Sequence, residues 1–134
     1  MQAATKNAAA GTAAAEGARG VVRIAILKTG AGYRVRPSYV VVGKNTDIRF
    51  VNLTQGPVDV SIPAEMVDGK GNRQQVLAGD LAFSVDANSG KTCQLSLSGR
   101  ARGPLRFPYS VYSHWAKDFL QGESSPEIIV DEEG

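Results

Sequence analysis

The sequence predicts an all-β fold, a Greek-key β-sandwich of about eight strands. Short runs rich in Val, Ile, Tyr and Phe recur along the chain, and these residue types suit a pleated, half-buried surface. Turn-forming Gly, Pro, Asn and Asp separate the runs at intervals of roughly ten residues, a spacing typical of sandwiches. No run has the periodicity of a long amphipathic helix. Short strands joined by frequent turns therefore account for the body of the chain.

The chain divides into an Ala-rich beginning and one domain. Residues 1–20 are rich in Ala and Gly and have no large apolar side chain after Met1, so we expect a flexible tail or linker. The alternative is a helix that becomes ordered only against a partner, because an isolated helix of this length is marginal in water. Residues 21–134 are long enough to form a single domain with its own core.

The composition limits the classes of partner. Hydrophobic residues make up 43% of the chain, charged residues 21%, and the net charge is +2. So small a charge argues against nucleic acid as the main partner. No apolar run reaches the roughly 18 residues of a membrane span, and we identify no signal peptide in this sequence. The single cysteine excludes an internal disulfide.

The first half of the chain predicts five strands, which span 21–28, 33–35, 39–42, 46–53 and 58–62. Pro37 separates the second from the third, and since proline cannot donate to a ladder, we expect it at a sheet edge or at a crossover between sheets. The alternation of apolar and polar residues in 46–53 predicts a sheet that is wet on one side. Val58, Val60 and Ile62 form the inward set of the fifth strand.

The second half predicts strands at 74–77, 81–85, 91–98, 109–112 and 128–130. Before them, 63–73 is the longest irregular stretch, and we expect an excursion between strands. Within it, 68–72 superficially resembles a calcium loop, but it lacks the repeated acidic ligands and predicts a turn. Cys93 shares a face with Leu95 and Leu97, which predicts a small core residue and not a reactive thiol.

Two polar loops follow the strand at 91–98. Loop 99–106 carries Arg100, Arg102 and Arg106, and we interpret it as a solvated hairpin loop, with docking to an acidic partner or anionic lipid as the alternative. The second loop follows the strand at 109–112 and begins with the sole His and the sole Trp, at positions 114 and 115. Loops at strand ends are common places for binding sites.

The order of these parts resembles the cupredoxins, the family of plastocyanin, pseudoazurin and azurin. The resemblance covers 37–130 and depends on three features. The first is 39–52, which is similar to the family's early strand, glycine turn and strand ending in Asn. The second is 58–62, at the distance where the family has the strand that bears its first copper-binding His. The third is 109–130, an aromatic strand, a loop and a final strand, which is similar to the ligand loop.

The copper ligands that the resemblance implies are missing. A blue copper site uses two imidazoles and a thiolate with a weak axial group. Val58 or Asp59 stands where the family has its first His, and Ser113 stands where it has Cys. Trp115 and Ala116 occupy the expected region of the second His, and the loop has no Met. We therefore expect the type-1 copper site to be absent and no cofactor to be bound.

The sequence thus predicts a non-catalytic domain that binds an unknown protein or small ligand at one loop end. The candidate interaction surface consists of Val58, Asp59, Ser113, His114, Trp115 and Phe119. Exposed aromatic residues at such a loop end are favoured contact anchors. The family resemblance implies a periplasmic or otherwise extracytoplasmic location.

Three alternatives belong to other classes. The first is a copper-binding electron-transfer protein with an atypical site made by His114 and Asp59, with or without Cys93. The second is a hydrolase in which Ser113 and His114 act with an orienting carboxylate, Asp118 or Asp59. No Gly-flanked elbow surrounds this serine, which argues against it. The third is an immunoglobulin-like assembly module, which lacks the expected Cys, Trp, Cys framework.

Overall fold

The computed structural model describes residues 20–43, 46–67, 70–96 and 105–130. This part of the chain is all-β and contains thirteen strands and no helix. The strands are β1 (Gly20–Thr29), β2 (Gly32–Arg36), β3 (Tyr39–Val42), β4 (Thr46–Asn52), β5 (Val58–Ile62), β6 (Glu65–Val67), β7 (Arg73–Gln75), β8 (Leu81–Val85), β9 (Ser89–Gln94), β10 (Leu105–Pro108), β11 (Ser110–Ser113), β12 (Asp118–Phe119) and β13 (Glu127–Val130).

The strands form three larger sheets and one small hairpin. Sheet A has the order β2-β1-β4-β9, sheet B the order β10-β13-β3, and sheet C the order β12-β11-β5-β8. Most neighbours are antiparallel, but β1 pairs with β4 and β3 with β13 in parallel. Strands β6 and β7 pair only with each other. Several neighbours are therefore distant in sequence, and the chain crosses between sheets repeatedly.

One hydrophobic core joins the three larger sheets. Alternate residues of strands such as β3, β4, β5 and β13 point inward, as the period of two requires. The core includes residues from sheet A, sheet B and sheet C, namely Ile24, Ile26, Ile48, Phe50, Val40, Val42, Ile128, Val130, Val58, Val60, Ile62, Val85 and Val111. Phe50 packs edge-on against Phe83 and Tyr109. Sheets that share one core in this way are consistent with a β-sandwich.

The structure confirms most of the predicted strands and the role of Pro37. This proline lies between β2 of sheet A and β3 of sheet B, so it marks a crossover between sheets. The predicted inward residues of β5 are buried, with Val58 and Ile62 both fully covered. Cys93 is partly buried and packs against the core. Burial raises the pKa of its thiol to about 11, which agrees with a core residue.

Three expectations about the strands need correction. The described residues contain thirteen strands instead of about eight, and three of them, β6, β10 and β12, lie in stretches that were not predicted as strands. The excursion at 63–73 contains one strand, β6, which forms a hairpin with β7 at the position of the strand predicted for 74–77. Arg106 lies in β10 and not in a loop, because this part of the chain pairs with β13. The guanidinium of Arg106 lies 3.5 Å from the Glu127 carboxylate.

Several expectations concern residues outside the described part of the chain. These are the flexible tail up to residue 19, most of the turn at 43–45, the centre of the calcium-like turn at 68–69, and Arg100 and Arg102. Strand β1 begins at Gly20, one residue before the predicted start of the domain. Within the described ranges, no helix has the length and apolar character that a membrane crossing requires.

Candidate functional site

The candidate site lies on the outward face of sheet C, at the end where β5 begins and β11 ends. Cross-strand pairing sets a row of side chains there: Phe119 on β12 opposes Tyr112 on β11, which opposes Asp59 on β5, which opposes Ser84 on β8. His114 and Trp115 follow β11 directly. We call these six residues, Asp59, Ser84, Tyr112, His114, Trp115 and Phe119, the loop-end surface.

Asp59 is the polar centre of this surface. One of its carboxylate oxygens accepts a hydrogen bond from the Ser84 hydroxyl at 2.6 Å, and the other contacts Nε2 of His114 at 2.7 Å. These bonds, first that from Ser84 and then that from His114, lower the pKa of Asp59 below its ordinary value of 3.8. The side chains of His114 and Asp59 are 49% and 47% exposed, so the charged group is available to a ligand.

Aromatic rings surround this pair. The Tyr112 ring lies edge-on to the imidazole of His114, with centroids 5.3 Å apart, and edge-on to Phe119, with centroids 5.1 Å apart. Phe119 and Trp115 are 62% and 60% exposed and are the two most exposed large hydrophobic residues in the described chain. Such exposure is unusual for rings of this size, and it is typical of a contact surface.

A tight turn holds the loop in place. The Ser113 carbonyl accepts a hydrogen bond from the Lys117 amide at 2.7 Å, and the Ser113 hydroxyl accepts one from the Ala116 amide at 3.0 Å. Lys117 has a φ of 58°, in the left-handed region that reverses the chain into β12. The hydrogen bond from the Leu120 amide to the Val111 carbonyl, 2.8 Å long, then closes the turn.

A second turn, 53–57, supports the loop from beneath. The His114 amide donates to the Pro57 carbonyl at 3.1 Å. A Cβ on Gly56 would lie 3.0 Å from that of Trp115, so only glycine lets the two turns approach this closely without a shift. Asn52 is fully buried and organises the turn: its side-chain amide donates to the carbonyls of Gly56 and Val85 at 2.9 and 3.0 Å.

The structure separates the six residues that the sequence analysis selected. It brings Asp59, His114, Trp115 and Phe119 together on one exposed surface. Val58 and Ser113 have no exposed surface at all, because the strand alternation that points Asp59 and His114 outward points these two into the core. The candidate interaction surface is corrected accordingly, and neither side chain can contact a partner.

The burial of Ser113 also bears on whether Ser113 and His114 could act together as nucleophile and base. Ser113 is fully buried and its hydroxyl is bonded to the Ala116 amide, whereas the imidazole of His114 lies outside and contacts Asp59. A nucleophilic serine needs its base within hydrogen-bond reach. Nothing in this arrangement favours a nucleophile at Ser113.

The residues at the loop end do not fit a copper site. Of the two positions that the resemblance gives for the first His, Val58 pairs directly with Ser113 but offers no ligand atom, and Asp59 pairs with Tyr112 instead. Cys93 lies on β9 in sheet A, while Asp59 and His114 belong to sheet C. No group of three His, Cys, Asp or Glu residues suited to a metal occurs among the residues that the structure describes.

Sequence reasoning missed two members of the surface, Ser84 and Tyr112. Tyr112 was assigned only to a strand, and the register that places it beside Asp59 gives it its role. Ser84 is 25 residues from Asp59 in the chain. The alternation of β8 shows that its side chain points outward, but only the pairing with β5 shows which residue it meets.

A cavity of about 520 Å³ opens beside the surface. Phe119 forms one wall, and Tyr33, Arg34 and Gln121 contribute to the others. The Arg34 guanidinium donates to the Tyr33 carbonyl at 3.0 Å. The parallel bridge between Arg34 and Gln121 fixes this wall to the middle of β2. A small ligand on the loop-end surface would therefore have a recess next to it.

Comparison of the chain with known protein-family models and with curated proteins finds no match. The function must therefore be argued from the geometry itself. That geometry combines a half-exposed carboxylate and imidazole with two exposed aromatic side chains, on a rigid sheet and a tightly bonded turn. It is an arrangement suited to binding.

Proposed function

We propose that this chain is a non-catalytic cupredoxin-like domain, a Greek-key β-sandwich without a type-1 copper site, that binds a protein or a small ligand at the loop-end surface. The observation that carries the proposal is the exposure of Trp115 and Phe119 beside the hydrogen-bonded pair of His114 and Asp59. Water-exposed rings next to a fixed polar group supply both apolar contact area and orientation, which are the two requirements of a specific contact.

The described strands support the cupredoxin-like part of the proposal. Strand β3 follows Pro37, β4 ends at Asn52, and β5 follows after a short turn. Strand β11 leads through the loop to β13. The order of sheet A is non-sequential, since β1 neighbours β4 and β4 neighbours β9, which supports a sandwich whose connections cross between sheets. The same resemblance extends the proposal to a periplasmic or other extracytoplasmic location.

The loss of the copper ligands gives the loop end a different use. Val58 and Ser113 occupy paired positions and fill the core where ligand atoms would be needed. An aliphatic side chain and a hydrogen-bonded hydroxyl stabilise packing there, and the outward neighbours, Asp59 and His114, face solvent. The alternative, an atypical copper site, has only these two groups close together, and soft copper sites need more ligands than that.

Selection from a random peptide library displayed on phage tests the binding proposal. The target is the wild-type chain, and the counter-target is the double variant Trp115→Ala, Phe119→Ala. Both side chains are largely exposed, so the double variant should fold normally. We expect enriched peptides that bind the wild type, lose at least roughly tenfold in affinity for the double variant, and change the fluorescence of Trp115, the sole tryptophan.

The matched control is Tyr39→Ala, which removes an exposed aromatic side chain from sheet B instead of sheet C. Peptides specific for the loop-end surface should bind this variant as they bind the wild type. Selection without enrichment, or enriched peptides that bind the double variant equally well, would contradict the proposed function.

A further inference from the structure

We propose that the loop-end surface recognises a positively charged side chain, an arginine or a lysine, of a protein partner. This inference rests on the proposed function and names the class of contact that the same surface makes. Four observations carry it: the unused acceptor capacity of Asp59, the fixed orientation of His114, the aromatic rings beside them, and the negative charge that Asp59 places on this face of sheet C.

Asp59 has acceptor capacity left. An ionised carboxylate has about four lone-pair positions for hydrogen bonds, and Asp59 uses two, one for Ser84 and one for His114. Both bonds hold the carboxylate in one orientation on the sheet, so binding a donor does not require the side chain to be ordered first. The same bonds lower the pKa of Asp59, and the group is therefore an anion at neutral pH.

His114 adds a second acceptor. The carboxylate of Asp59 can only accept, so Nε2 of His114, which lies 2.7 Å from it, carries the hydrogen of that bond. In the neutral imidazole the other nitrogen, Nδ1, is then an acceptor. The polar groups of the surface thus favour a ligand that donates hydrogen bonds, as ammonium and guanidinium groups do.

The rings favour the same class of ligand. A cation is attracted to the face of an aromatic ring within about 6 Å of its centre. Tyr112 opposes Asp59 directly across β11 and β5, which brings the Cβ atoms of such a pair to about 5 Å. Phe119 extends the aromatic surface on the other side of Tyr112. A guanidinium group bound to the carboxylate would therefore lie beside these rings.

The charge of Asp59 also favours a positively charged ligand. Around the loop-end surface, the carboxylate of Asp118 is matched by the ammonium of Lys117, and Arg34 lines the recess beside it. Asp59 is therefore the anion that a partner would meet among the rings. An apolar partner would bury the Asp59 carboxylate with no partners beyond Ser84 and His114, which is unfavourable for a charged group. A cation compensates that charge and keeps the aromatic contact.

The test is an NMR titration with three blocked tripeptides, Gly-Arg-Gly, Gly-Gln-Gly and Gly-Glu-Gly, at low salt. We expect the arginine peptide to shift the resonances of Tyr112, His114 and Phe119 with a dissociation constant in the millimolar range. The glutamine and glutamate peptides should shift them far less. Higher salt should weaken binding of the arginine peptide, because the contact involves charges near the surface.

Three variants complete the test. Asp59→Asn should weaken binding of the arginine peptide at least about fivefold, and Phe119→Leu about two- to fivefold, the range of an exposed cation–π contact. The control is Glu65→Gln, which removes an exposed carboxylate beyond the opposite end of β5 and should leave binding unchanged. Each variant should keep the well-dispersed spectrum of a folded sheet.

Any of three results would overturn the inference. Equal shifts with the glutamine peptide, or unchanged affinity in Asp59→Asn, would show that the surface binds peptides without selecting a cation, and the proposed function would stand without this refinement. No shifts with any of the three peptides would also refute the cation contact. The phage selection then decides separately whether the loop-end surface binds a partner at all.

Discussion

Replacing Asn52 by alanine should destabilise the domain and disturb the loop-end surface together. Asn52 has no exposed surface. Besides its two donor bonds to the carbonyls of Gly56 and Val85, its side-chain oxygen accepts from the Thr54 amide at 3.0 Å and from the Thr54 hydroxyl at 2.6 Å. This side chain therefore joins β4 of sheet A to β8 of sheet C and holds the turn beneath His114.

The size of the destabilisation depends on which buried groups lose a hydrogen-bond partner when Asn52 is replaced. The Thr54 hydroxyl keeps a bond to the Gly56 carbonyl at 3.1 Å, but the buried Thr54 amide loses the acceptor seen in the structure. A buried unpaired donor costs about 1–3 kcal/mol, and each of the two lost bonds to carbonyls about 0.5–1.5 kcal/mol. We expect Asn52→Ala to lower the free energy of unfolding by roughly 2–6 kcal/mol. For a domain of this size each kcal/mol lowers Tm by roughly 3–6 °C.

Urea denaturation followed by circular dichroism measures this change. The control is Gln55→Ala in the same turn, where the exposed side chain only accepts a long bond of 3.4 Å from the Tyr33 hydroxyl. We expect that variant to stay within about 0.5 kcal/mol of the wild type. If Asn52→Ala also stayed within about 0.5 kcal/mol of the wild type and left the His114 resonances unshifted, the reasoning about this buried network would be refuted.

Three further predictions concern other parts of the structure. Tyr109→Phe should raise the free energy of unfolding by about 1 kcal/mol, because the buried Tyr109 hydroxyl has no hydrogen-bond partner in the described structure; a lower Tm would contradict this. Gly122→Ala should lower stability by about 1–3 kcal/mol, since a Cβ there would meet the Val35 carbonyl and would lie 2.8 Å from that of Ser38, while Gly79→Ala, with open space around it, should be near neutral. Ser84→Ala should destabilise the domain above about pH 5, because Ser84 is the largest cause of the lowered pKa of Asp59. That difference should shrink as the pH falls through the folded-state pKa of Asp59, where its carboxylate becomes protonated, and a pH-independent difference in Tm would count against this assignment.

The strands and the core were largely predictable because they depend on local alternation. In β5, the apolar residues at every second position point inward, and Val58, Val60 and Ile62 are buried as expected. Pro37 predicted a crossover because a missing backbone donor is a property of that residue alone. Strand β7 overlaps the strand predicted at 74–77, but its partner β6 was missed, since three residues are too few to show a period of two.

The site was predictable only in part because it depends on register. The loop with His114 and Trp115 could be found from residue types, but the partner of His114 lies 55 residues earlier in the chain. Ser84 and Tyr112 join the site through the pairings of β5 with β8 and β11. The alternation of β5 already predicted that Val58 points inward, so its place in the candidate surface conflicted with its place in the core, and the pairing with β11 shows that Ser113 points inward with it.

A titration with Cu(I) and Cu(II) tests the central claim, that the loop end has exchanged copper ligation for recognition of a partner. Absorbance, the copper content of the re-isolated protein and Tm are measured together, because a metal bound to the folded state must raise its stability. We expect no intense thiolate-to-copper band, no stoichiometric copper after re-isolation and an unchanged Tm. Tight stoichiometric binding with such a band, lost in His114→Ala, would contradict the account and would make Cys93 a ligand.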